Sequence, residues 1–118
     1  MTLDEFLDGR PQSRQLLNRL RAVIEALGPV ELRVGKSQVA FHRGRAFARA
    51  WVPDRYLRGR HAPLVVTLSF AHRDGSPRWK EIVEPAPGRF THHLELWTES
   101  DIDDEVRRWL IEAWQAAG

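Results

Sequence analysis

The 118-residue chain contains no cysteine. That absence removes disulfides, thiolate metal sites, iron–sulfur ligation and thiol catalysis together. Lysine is nearly absent too: Lys36 and Lys80 are the only two, and arginine carries the rest of the positive charge. No apolar run approaches the roughly 20 residues that span a bilayer. The first ten residues contain Asp4, Glu5 and Asp8, where a secretory leader needs apolar residues. No membrane association and a cytoplasmic address are the expectations that follow. No repeat, low-complexity tract or linker interrupts the chain, which reads as one domain over residues 1–118. Its 42% apolar and 29% charged content is that of a folded chain rather than a disordered one.

Catalytic and metal-binding signatures are also missing. His92 and His93 are adjacent on a strand-like segment, so they point to opposite faces and cannot chelate one ion together. His42, His61 and His72 fall in or beside turns, and no His-x-His occurs. No metal and no cofactor is expected. Ser13, Ser37, Ser69, Ser76 and Ser100 lack the context of a nucleophile elbow. Gly35-Lys36-Ser37 looks like the end of a phosphate loop but has neither the upstream glycines nor a following helix, so it reads as a turn. No catalytic residue is assigned.

What is present is an uneven charge distribution behind a net charge of +2. Arg33, Lys36, Arg43, Arg45, Arg49, Arg55, Arg58 and Arg60 are opposed by Asp54 alone. From Glu95 to Glu105 the balance reverses, with six acids and no base. Either these regions face each other or solvent, or the basic one is a surface for anions.

Hydrophobic periodicity sets the element order. Thr2 to Glu5 fits a capping box opening a short helix over 3–8, stopped at Gly9. Pro11 suits the first turn of a second helix, whose stripe is Leu16, Leu17, Leu20, Val23, Ile24 and Leu27. Alternation then predicts strands at 30–34, 38–42, 45–52, 64–70 and 90–97, with a turn at Arg43-Gly44. Residues 53–63 read as a loop with Tyr56 and Leu57 as anchors. Trp79, Ile82 and Val83 have helical spacing after Ser76-Pro77, which favours a short helix over 77–83 rather than a strand. Residues 85–88 read as a loop. Ser100 is the expected N-cap of a last helix carrying Ile102, Val106, Trp109, Leu110 and Ala113. The resulting fold class is α+β: a two-layer sandwich, its antiparallel sheet covered on one face by the N-terminal and C-terminal helices.

Two candidate surfaces emerge. As a strand, residues 45–51 place Arg45, Phe47, Arg49 and Trp51 on one face and three alanines on the other. Those four are either core with snorkelling arginines or an exposed platform that stacks bases and holds phosphates, which Trp97 and His93, on one face of their strand with Thr91 and Glu95, would extend. The second candidate gathers Lys36, Gln38, Lys80, His92 and His93 in a cleft where the Gly35–Gln38 turn meets the Lys80–His93 segment. The competing explanation there is structural, with His92 bonded to a backbone carbonyl.

Segments 27–41, 47–48, 76–96 and 103–106 resemble an uncharacterised bacterial family of small α+β domains, a domain of unknown function. The resemblance spans nearly the whole chain and brings no established activity. It implies interest in the polar residues Lys36, Gln38, Lys80, Glu81, Arg89, His92 and His93 within otherwise structural segments. The helix–sheet–helix order is more distantly similar to frataxin-like domains. Their iron binding rests on an acidic first helix, whereas Arg14, Arg19 and Arg21 face Glu25 alone here. The leading expectation is a non-enzymatic binding or interaction module, with an anionic ligand or a protein as partner. A small-molecule sensor or enzyme using the Lys/His cleft, and single-stranded nucleic-acid binding on the Arg/aromatic face, are the alternatives. An edge strand paired with a second copy makes a homodimer an alternative to a monomer.

Overall fold

A computed structural model describes residues 1–53 and 60–118. Tyr56 and Leu57 therefore lie outside the described residues. The chain opens with α1 (Leu3–Phe6), capped by the reciprocal bonds of Thr2 and Glu5, and α2 (Pro11–Glu25). Six strands follow: β1 (Glu31–Val34), β2 (Val39–Arg43), β3 (Arg45–Trp51), β4 (Leu64–Phe70), β5 (Glu81–Ala86) and β6 (Arg89–Leu96). A 3-10 turn over Glu99–Asp101 leads to α3 (Asp104–Ala117). The strands form one antiparallel sheet in the order β1-β2-β3-β4-β6-β5. No helix among the described residues is long and apolar enough to cross a membrane.

Strand pairing aligns side chains into rows that cross the sheet. Leu32, Phe41, Ala48, Leu68, His92 and Ile82 are paired in series through all six strands. This row lies under the helices, against the apolar stripes of α2 (Leu16, Leu20, Ile24) and α3 (Val106, Leu110, Ala113). Shifted by one residue, Arg33, Ala40, Arg49, Thr67, His93 and Glu81 form the neighbouring row. Because successive side chains alternate, it projects from the opposite, helix-free face.

Three expectations are corrected. The Arg45–Trp51 strand does not keep strict alternation. The β2–β3 register shifts between Phe41 and His42, leaving Phe47 as an extra residue on β3. Such a bulge breaks the period of two. Phe47 turns into the core, at 2% exposure. Arg45 instead reaches the end of α3, donating to the Ala116 carbonyl at 2.7 Å. Only Arg49 and Trp51 remain on the open face.

The segment expected as a short helix near residues 77–83 is a turn followed by β5, an edge strand that continues through Pro85 to Ala86. Proline fits there because an edge strand does not need every N–H in the ladder. Arg78, in that turn, explains why no helix starts. Its guanidinium bonds both carboxylate oxygens of Asp103 (3.0 and 2.9 Å), Glu105 (2.9 Å) and the Asp101 carbonyl (2.9 Å). The N-cap of α3 is Asp103, which accepts from the Val106 N–H, whereas Ser100 belongs to the preceding 3-10 turn.

Among the described residues no ion pair joins the basic stretch to the acidic one, whose Glu95, Asp103 and Glu105 pair with Lys80 and Arg78 instead. Arg43 stacks on the Trp114 ring at 3.6 Å and donates to the Trp114 carbonyl. Arg43 and Arg45 thus satisfy the carbonyl end of α3, where the helix dipole favours positive charge.

Candidate functional site

On the open face, β3, β4 and β6 bring three polar side chains into contact. The Trp51 indole N–H donates to the Thr67 hydroxyl oxygen at 3.3 Å. The same oxygen lies 2.7 Å from Nδ1 of His93. An indole N–H can only donate, so Thr67 accepts from Trp51 and has its own hydrogen to give to His93. The arrangement that uses each group once puts the neutral imidazole's hydrogen on Nε2. Burial lowers the His93 pKa, opposed by the Glu81 charge and reinforced by Lys80. The ring is therefore neutral at neutral pH. Trp51 meets it edge-on, with ring centroids 6.4 Å apart.

A cavity of about 550 Å³ lies over this relay. Arg49, Trp51, Thr67, Thr91 and His93 line it, with Ser37 and Gln38 from the turn between β1 and β2. Arg49 has no hydrogen-bond or ion-pair partner among the described residues. Its guanidinium therefore offers a full set of donors beside an indole and a neutral imidazole.

The two sequence-derived residue sets are each divided by the fold. Gln38 and His93 of the proposed Lys/His cleft line the cavity, as do Arg49 and Trp51 of the proposed platform. The other members do not. Lys36 is exposed on its turn, outside the cavity lining. Lys80 is held near Glu95, with Nζ 3.5 Å from a carboxylate oxygen.

His92 points to the helix side and is fully buried. Its Nε2 accepts the Asp74 backbone N–H at 3.0 Å, and its Nδ1 lies 3.2 Å from the Phe90 carbonyl, to which it donates. Phe70 and Trp79 pack edge-on against it at 4.7 and 4.9 Å. Burial pushes its pKa down, so it is a neutral structural ring, as the backbone-carbonyl alternative held. Asp74 closes this cluster by accepting the Trp79 indole N–H at 2.8 Å. Burial raises the Asp74 pKa, but the bonds from Trp79 and Ser76 outweigh it and the net shift is downward.

Thr67 was missed from sequence. The available signal was its polar character at an alternate position of an otherwise apolar strand, which marks a face but not a cavity. Among the described residues, no group of three or more His, Asp or Glu is placed to hold a metal ion.

A family model described as Domain of unknown function (DUF5655) matches residues 3–117. No curated protein and no solved structure matches the chain. With an α+β fold and a match over nearly its whole length, the protein belongs to the DUF5655 family.

Proposed function

We propose that this domain is a non-enzymatic binding module whose open sheet face takes a small anionic ligand bearing a flat ring. The guanidinium of Arg49, without a partner among the described residues and set in a cavity of about 550 Å³ between Trp51 and His93, carries this reading. That volume lies within the roughly 300–1,000 Å³ of small-molecule sites. An indole face takes a flat ring, and a planar guanidinium matches a carboxylate or phosphate. The His93 Nε2–H supplies one directional donor. Catalysis is disfavoured because the Thr67 oxygen, the one hydroxyl bonded to a histidine there, already accepts from Trp51 and is less nucleophilic for it.

Tryptophan emission tests the reading. Titration with a nucleoside 5′-monophosphate is expected to quench wild-type emission, less so at high salt, while the uncharged nucleoside has little effect. Arg49→Gln is expected to lose the response, and Trp51→Phe to lose the signal. Equal binding of nucleoside and monophosphate, or a response that survives Arg49→Gln, would overturn it.

A further inference from the structure

The ladder between β3 and β4 is shorter than the strands themselves. It runs from Trp51↔Val65 to Ala48↔Leu68, although β3 begins at Arg45 and β4 continues to Phe70. The extra residue at Phe47 bends β3 and ends the pairing. A cleft of about 650 Å³ lies there, lined by residues 45–47 of β3, residues 69–71 at the end of β4 and the Gly88-Arg89 turn. Small residues of α3, Ala113, Ala116 and Ala117, complete the lining.

The charge of this cleft is one-sided. Arg33, His42, Arg45, Arg49 and Arg89 line it, and no carboxylate does. Arg33 is occupied by Glu31, and Arg45 gives one bond to α3. Arg49 and Arg89 have no partner among the described residues. The field also acts on His42, whose pKa is lowered by burial first and then by Arg33 and Arg49, against the opposing charge of Glu31. Arg49 lines both this cleft and the Trp51–His93 cavity, so the two meet at that side chain.

Resting on the reading of the open face given above, we infer that its ligand is a nucleoside di- or triphosphate. The ring lies in the Trp51–His93 cavity, the first phosphate on Arg49, and the following phosphates in the cleft with Arg89. Trp51 and Arg49 are two residues apart on β3, about 7 Å, which sets the ring beside the first cation rather than on it. Further phosphates run toward the β5–β6 turn because the uncompensated charge continues that way. A single-stranded nucleic acid is disfavoured. A strand needs successive stacking surfaces, and Phe47, the other large ring on β3, is in the core.

Calorimetric titration with adenosine, AMP, ADP and ATP, and separately with a short oligothymidylate, tests the inference. The adenine series suffices because stacking on an indole tolerates any base. ADP or ATP is expected to bind wild type about tenfold more tightly than AMP, the gain of one further charge-assisted contact. Arg89→Ala, at the exposed start of β6 outside the core, is expected to leave AMP affinity unchanged and reduce ADP and ATP to the AMP level. AMP binding without a gain from added phosphates, or a gain that survives Arg89→Ala, overturns the inference and leaves the monoanion reading standing. No binding by any member of the series overturns both. Tighter binding of oligothymidylate than of ADP overturns the inference in favour of nucleic acid.

Discussion

Two neighbouring rows cross the same six strands one residue apart, and they differ in almost every physical respect. The row under the helices runs Leu32, Phe41, Ala48, Leu68, His92, Ile82. Its one polar member, His92, has both ring nitrogens bonded and two aromatic rings against it. The open row runs Arg33, Ala40, Arg49, Thr67, His93, Glu81. Its small members leave space between large polar ones, and Arg49 is left without a partner among the described residues. The backbone spacing is shared, so it cannot be what makes one face solid and the other receptive. The difference lies in which side chains are satisfied within the fold.

The adjacent histidines give the largest test of that contrast. His92→Ala removes a fully buried ring and leaves the Asp74 N–H without its acceptor. Loss of packing and of a buried bond together should cost about 3 kcal/mol. For a chain of this size that lowers the thermal midpoint by roughly 10–15 °C. His93→Ala removes a half-buried ring beside a cavity and should cost about 1 kcal/mol or less. Paired thermal melts decide it. Equal losses would mean that the open face is as much a part of the core as the covered one.

A change of equal size on the two rows gives the next effect. Ala48 sits under α3 at 1% exposure, in a place that suits only a small side chain. Ala48→Leu inserts three carbons into close packing and should cost about 2 kcal/mol by urea denaturation. Ala40→Leu adds the same atoms between Arg33 and Arg49 on the open row. Those side chains can move into solvent, so the loss should stay below about 1 kcal/mol. Comparable losses would show that the open row is packed rather than merely flanked by arginines at the solvent boundary.

Much of this contrast was legible in the sequence, and the failures have one kind of cause. The stripes of α2 and α3 were clear because 3.6-residue periodicity over a long segment admits one reading. The opposite directions of His92 and His93 follow from alternation alone, and the fold obeys it. The grouping of Phe47 with Trp51 failed because alternation assumes an uninterrupted ladder. A single extra residue reverses every side chain before it, and that residue is fixed by pairing with β2, not by anything local in β3. The assignment at 77–83 failed for a similar reason. Trp79, Ile82 and Val83 fit both a helix and a turn entering a strand, and the choice is made by Arg78 reaching Asp103 and Glu105 some 25 residues away. The cavity itself was half legible. Gln38, Arg49, Trp51 and His93 were each singled out, and His93 was set beside the platform as well as in the cleft, but Gln38 was not joined to Arg49 and Trp51, because nothing in one strand reveals which strands will be its neighbours.

The smallest effect is the dependence of stability on pH, which separates the rows by histidine. His42, His92 and His93 all have pKa values lowered by burial. Each therefore takes up its proton more readily in the unfolded chain, near pH 6.5, than in the folded one. Their contribution is full above that pH and is lost as pH falls below it. His72 has the opposite sign. Its bond to Glu112 raises its pKa, so its contribution is full below pH 6.5 and is lost as pH rises through the folded value. That pair is about half exposed and is screened by solvent. The lowered carboxylates of Asp74 and Asp103 contribute above pH 4 and lose that contribution only below it, so the window from pH 7.5 to 5 reports histidines. Urea unfolding in this window should show stability falling with pH. His93→Gln should remove a smaller part of the slope than His92→Gln, because His92 is fully buried and His93 borders a cavity that admits solvent. A slope carried mainly by His93 would mean that its environment is as dry as the core, and the open face would then be closed to any ligand.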